Sequence, residues 1–191
     1  MKKLFTAMLT GCLLLTGCIS YSGNQLAQVQ TWPPAATGMQ KPTAYIRVEG
    51  QYQHNDQPRS GGFNQASLEK LILKQYQDSG LFSRVGTTEQ EADLYINVSV
   101  NNHENSSTAA AFITGLTLFI IPSTASNTLS MQTEFMDGSG KLLGSVEKHE
   151  TITTWMQLLL VFALPFSEST DKVLTQLSQS SLDAAARQKL I

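Results

Sequence analysis

From residue 43 onward the apolar positions of this chain fall into two periods. In "TAYIRVEG", residues 43–50, Ala44, Ile46 and Val48 alternate with Tyr45, Arg47 and Glu49, the period of a strand with one buried face. "NQASLEKLILKQYQDSG" then spaces Leu68, Leu71, Ile72 and Tyr76 as one side of a helix, with Asn64 placed to cap it and Gly80 to stop it. A short extended piece is expected around Phe82 to Val85. "DLYINVSVN" follows, with Leu94, Ile96, Val98 and Val100 on one face and Asp93, Tyr95, Asn97 and Ser99 on the other. Two further extended runs flank Asp137-Gly138-Ser139-Gly140 and read as a hairpin. Leu129, Met131 and Phe135 face inward before the turn, and Gly144, Val146 and Ile152 after it. A last helix is predicted over roughly 168–189, with Val173, Leu174, Leu177 and Leu182 on one side. The expected fold is α+β and two-layered: a mostly antiparallel four-stranded sheet with helices on one face.

Two stretches obey neither period. The chain carries no charge between Glu104 and Glu134, nor between Glu150 and Glu168. Within them, "AAAFITGLTLFIIP" and "WMQLLLVFALPF" are apolar on every side, and each ends at a proline, Pro122 or Pro165. They are read as insertions at about 108–126 and 154–166. Their apolar cores, about 12 to 14 residues each, are short for a span and long enough for an interfacial, re-entrant or buried segment. Leaving a dozen large apolar side chains in water costs roughly 1.5 to 3 kcal/mol apiece, so something covers them. One possibility is packing on each other or on the second face of the sheet; the other is a membrane or a partner. On the second reading the contact residues are Phe112, Leu116, Leu118, Phe119, Ile120, Ile121, Trp155, Leu158, Leu159, Leu160, Phe162 and Phe166. Trp155 suits an interfacial position, where an indole can be half wet. The strands beside the insertions bring their near ends to one edge of the sheet, so the two segments are expected to be neighbours.

The chain opens with a short basic region, Met1-Lys2-Lys3, followed by an apolar run, as a secretory signal does. Leu-Thr-Gly-Cys occurs twice, at 9–12 and 15–18. Cleavage before Cys12 leaves an apolar region about half the roughly 7 to 15 residues expected, whereas cleavage before Cys18 leaves one in range. "LLLTGC" at 13–18 resembles the bacterial lipoprotein box, which implies removal of residues 1–17 and acylation of Cys18. Ile19 stands where lipoproteins retained in the inner membrane typically carry aspartate. The resemblance therefore implies an outer-membrane protein, lipid-anchored and facing the periplasm. With Cys12 removed and Cys18 modified, no thiol remains for a disulfide, a metal or catalysis. Residues 18–42, rich in Gln, Ser, Thr, Pro and Gly, read as a lipidated flexible tether, and 43–191 as one periplasmic domain. A formal net charge of −2 gives no basic footprint for nucleic acid.

"SGLFSRV" followed by "EADLYINVSV" resembles a periplasmic module of the curli-secretion lipoproteins and of the amino-terminal domain of the Tol propeller protein. Gly80, Leu81, Phe82, Val85, Ala92 and Asp93 carry that likeness. The segments flanking the hairpin also resemble those of uncharacterised proteobacterial lipoproteins. Here Gly115, Leu116, Thr117, Leu118, Ile121 and Pro122 match in the first segment, and Trp155, Leu158, Leu160, Phe162, Pro165 and Phe166 in the second. This second resemblance implies no activity.

Candidate chemistry is sparse. His54, His103 and His149 lack metal-ligand spacing, no serine lies in G-x-S-x-G, and "RSGGF" at 59–63 lacks the lysine of a phosphate loop. Glu89, Glu91 and Asp93 read as a solvated acidic loop. The expectation is a protein that is not an enzyme and needs no cofactor or metal. It is attached to the membrane by its amino-terminal lipid and acts as an envelope adaptor or assembly factor, with an envelope protein or further copies of itself as partner. The alternative is an oligomeric secretion or pore-forming lipoprotein of the curli-exporter type. The two apolar segments alternate poorly for barrel strands, which ranks the adaptor first.

Overall fold

The computed structural model describes residues 18–27, 29, 31–34, 41–158, 160, 165 and 167–191. Seven strands form one mixed sheet: β1 (Cys18–Ser22), β2 (Thr43–His54), β3 (Gln57–Arg59), β4 (Arg84–Gly86), β5 (Leu94–Ser106), β6 (Ser123–Asp137) and β7 (Leu142–Met156). Three helices are present among the described residues: α1 (Gln65–Asp78), α2 (Thr108–Leu116) and α3 (Thr170–Arg187). The main path across the sheet is β1-β7-β6-β5-β2-β3, and β4 pairs with β2. The β2–β5 and β2–β4 ladders are parallel and the other four are antiparallel.

The α+β class stands, and the four-strand expectation is corrected. The four long strands are those read from the alternation; β1 and β3 are additional, with five and three residues, and the three residues of β4 overlap the short extended piece expected around Phe82 to Val85. β3, Gln57-Pro58-Arg59, offers no apolar period, and in β1 the alternation of Ile19 and Tyr21 with Ser20 and Ser22 spans only five residues. Within the stretch expected as a tether, Cys18–Ser22 pairs residue by residue with β7. The insertions are shorter than expected as well. Ser123–Ser126 and Thr154–Met156 belong to the β6–β7 ladder, where serines and threonines alternate without apolar contrast.

Helices α1 and α3 cover one face. Leu68, Ile72 and Tyr76 of α1 and Val173, Leu174, Leu177 and Leu182 of α3 are buried against Ile46, Val98, Val100, Met131 and Phe135 of the sheet. The Asn64 side chain caps α1 by accepting from the Ser67 amide. Ser169 caps α3 through the Lys172 amide, with Asp171 in its first turn and Arg187 in its last, both complementary to the helix dipole. Gly50 lets β2 approach α1, because a Cβ there would sit 2.8 Å from Leu68. The opposite face presents Arg47, Glu49, Ser99, Gln132 and Glu147 to solvent.

Asp93, read as part of a solvated acidic loop, has a defined partner. Its carboxylate accepts from the Thr43 amide at 2.8 Å and the Thr43 hydroxyl at 2.7 Å, while its own amide donates to that hydroxyl at 3.0 Å. This clasp sets the register in which the parallel strands β2 and β5 begin.

Candidate functional site: an apolar rim at one end of the sheet

The ladders bring five strand ends to one end of the sheet. His54 pairs with Glu104, Ser106 with Ala125, Ser123 with Met156, and Met156 with Cys18. The apolar stretch between β5 and β6 closes over this end. Ser107 caps α2 by accepting from the Ala110 amide. Beyond the helix, Thr117 organises a tight turn: its hydroxyl donates to the Ile113 carbonyl at 2.9 Å and accepts from the Ile121 amide at 3.2 Å. The Phe119 amide donates to the Thr114 carbonyl at 2.8 Å. Leu118 and Phe119 are held in the left-handed region at φ 50° and 62°, where a side chain is strained.

The expected meeting of the two apolar segments is observed: the Leu158 amide donates to the Phe119 carbonyl at 3.0 Å. The first segment is not absorbed by the fold. Phe112, Leu116 and Ile120 are 67%, 68% and 69% exposed, and Leu118, Ile121 and Trp155 are exposed as well. Phe119, Leu158 and Leu160 are half-buried. Ile113, which the sequence reading did not single out, is also exposed. Leu159, Phe162 and Phe166 lie outside the described residues, as does the signal segment 1–17. In α2 only Thr114 is buried. The helix therefore shows its apolar side outward, the reverse of α1 and α3.

Cys18 is exposed and lies opposite Met156. Strands are spaced about 4.8 Å apart, so two strand steps from Cys18, across β7, lead to Ser123 and the Ile121-Pro122 end of the rim. Tyr21 and Trp155 share the face away from α1 and α3, and the Trp155 indole donates to the Tyr21 hydroxyl at 3.0 Å.

At the β2–β5 side of the same end lies a polar ladder. The Tyr52 hydroxyl donates to Glu104 at 2.8 Å. That bond to a carboxylate, and then partial burial, raise the Tyr52 pKa above its ordinary value. A His54 ring nitrogen lies 2.9 Å from the Ser106 hydroxyl. Glu104 meets the hydroxyls of Tyr52 and Ser106 rather than the imidazole, so the order carboxylate, imidazole, hydroxyl needed to activate a serine is not formed. Among the described residues no three His, Cys, Asp or Glu side chains converge as a metal site, and no helix is long and apolar enough to cross a membrane.

One residue that the sequence reading passed over stands out near β1. Glu150 is 1% exposed, and its carboxylate accepts from the amides of Gln25, Leu26 and Thr151, each at 3.0 Å. The alternation that turns Val146 and Ile152 inward also turns Glu150 inward, so a signal was present.

No family model matches the chain, and no curated protein does. Among solved structures it is similar to the PelC dodecamer from Paraburkholderia phytofirmans, at a TM-score of 0.40 and 12% identity, covering 87% of this chain and 94% of that one. A point variant of the same dodecamer gives a TM-score of 0.38 at 12% identity, covering 87% and 95%.

Proposed function

We propose that this chain is a non-catalytic outer-membrane lipoprotein that sits edge-on against the bilayer. In this reading the acyl chains of Cys18 and the apolar rim enter the same leaflet, and the rest of the sheet stands in the periplasm as a binding platform. The observation that carries it is the pairing of Cys18 with Met156, which puts the acylated residue on the same end of the sheet as Trp155, Ile121 and Leu118. An anchor on a long free tether would not orient the rim toward the bilayer. An anchor built into the sheet beside the rim delivers it to lipid. Burying a large side chain contributes roughly 1.5 to 3 kcal/mol, so a few rim residues add a second attachment to that of the lipid.

The oligomeric alternative keeps this seat and adds neighbours. PelC is a dodecamer, and a chain assembling in that manner would cover part of its rim with adjacent copies.

The test uses protein beginning at residue 18 with Cys18→Ser, so that β1 is retained and acylation is absent. It is expected to float with vesicles. The triple variant Leu116→Ser, Leu118→Ser, Ile120→Ser is expected to lose that binding by more than about a hundredfold while melting at the same temperature, because these side chains are exposed. Cys18→Ser protein with an intact rim that ignores vesicles rejects the membrane seat. Light scattering in detergent reads the oligomer: a mass that the triple substitution reduces to a monomer places neighbouring copies on the rim.

A further inference from the structure

The segment that joins the lipid to the domain is fastened at several points, and most of its fastenings are polar. β1 is held on both sides. It pairs with β7, its Ser20 amide donates to the Ser167 hydroxyl at 3.0 Å, and its Ser20 carbonyl accepts from the Glu168 amide at 2.7 Å. The Gly23 amide donates to the Thr151 carbonyl at 2.8 Å. The next two amides, Gln25 and Leu26, both end on one carboxylate oxygen of buried Glu150. Beneath this run is a cavity of about 270 Å³ bordered by Leu26, Glu150, Glu168, Lys172 and Gln176. Of residues 18–26 only Leu26 packs against the core. The segment thus lies over a hollow and is closed by hydrogen bonds to a charge, which are stronger than neutral ones.

We infer that residues 18–26 are a releasable strap, closed by Glu150, that sets how near the domain lies to the membrane. Closed, the strap holds Cys18 opposite Met156 and the rim in contact with lipid. Open, the eight residues from Ile19 to Leu26 reach up to about 26 to 29 Å at roughly 3.3 to 3.6 Å per residue, and the rim, no longer held beside the anchor, leaves the lipid more often. This rests on the membrane seat proposed above. Glu150 acts here as a positioning residue, since it touches neither lipid nor partner.

The experiment uses the mature lipidated protein in vesicles. Glu150→Gln keeps the shape, removes the charge and leaves one acceptor oxygen for the amides of Gln25, Leu26 and Thr151, so an NH2 group faces at least one of these donors. Hydrogen exchange at the Gln25 and Leu26 amides is expected to quicken by about tenfold or more, with Ile96 and Met131 unchanged. Gln25→Pro removes a donor from the strap without touching the core and is expected to act alike. A disulfide from Ser20→Cys with Thr154→Cys, whose native hydroxyls are 2.7 Å apart, is expected to restore closure in the Glu150→Gln protein. Quenching of Trp155 by a lipid-borne quencher is expected to fall in both open variants and to return with the disulfide. Unchanged exchange at residues 25 and 26, or equal loosening of the whole sheet in both variants, overturns the strap. An open strap with undiminished quenching overturns its control of height and leaves the seat standing. A wild-type Trp155 that is never quenched rejects the seat, while the exchange result still decides the strap.

Discussion

The indole of Trp155 donates to the hydroxyl of Tyr21 at 3.0 Å, across the ladder that joins the last long strand to the residues following Cys18. Both rings are exposed, so an amphipathic aromatic pair marks the end of the sheet that carries Cys18, a kind of pair favoured at membrane surfaces. The chain has two tryptophans, and the other, Trp32, packs against the core. In vesicles carrying a quencher in the acyl region, Trp155 emission is expected to be quenched and Trp32 emission spared. Trp32→Phe and Trp155→Phe separate the two signals.

Acylation is expected at Cys18. Cys18→Ser should leave unprocessed precursor and Cys12→Ser should change nothing, as mass spectrometry of the mature amino terminus will read. Ile19→Asp is expected to move the protein from outer- to inner-membrane fractions on a density gradient. The side chain at position 19 opposes Trp155, so Ile19→Ser is the control for a local effect on β1.

The strained turn of the rim separates stability from attachment. Leu118→Gly relieves a left-handed backbone worth about 1 to 2 kcal/mol and gives back roughly 0.5 to 1 kcal/mol in chain entropy. The melting temperature is therefore expected to hold or rise. Vesicle binding is expected to weaken about tenfold or more, because a large exposed side chain is gone. Thermal melts and flotation of the same sample check both halves.

The Asp93 clasp makes a prediction about pH. The bond from the Thr43 amide, then that from its hydroxyl, holds the Asp93 carboxyl below its ordinary value of 3.8. A depressed folded-state pKa stabilises above the unfolded value, and the contribution is lost as pH falls through the folded one. Asp93→Asn is expected to melt below wild type at pH 7, and the gap to close as the pH is lowered below about 4. A gap that stays constant to acid pH would sink the clasp.

Tyr76 is buried and stacks on Phe82 with centroids 6.0 Å apart, and among the described residues its hydroxyl makes no well-formed hydrogen bond. Burial raises its pKa. Tyr76→Phe removes a desolvated hydroxyl and keeps the ring, so the melt is expected to be unchanged or slightly higher.

Sequence by itself determined what depends on contrast along the chain. Alternation in 43–50 and 93–101 made two strands legible, and the spacing of Leu68, Ile72 and Tyr76 with the Asn64 cap made a helix legible, because one buried face per element leaves a period of 2 or 3.6. The two uncharged apolar segments were legible for the opposite reason, since they have no polar face at all. Tertiary structure decided what depends on a partner far away in the chain. β1 is five residues long, too short for its alternation to mark it, and the edge of β7 makes it a strand. Glu150 reads as one more charged residue until the amides of Gln25 and Leu26, more than a hundred positions earlier, converge on it. Asp93 reads as loop until Thr43 is beside it. The exposure of Phe112, Leu116 and Ile120 was likewise decided in three dimensions: α1 and α3 already fill the covered face of the sheet, and the rim is left at its end, beside the cysteine.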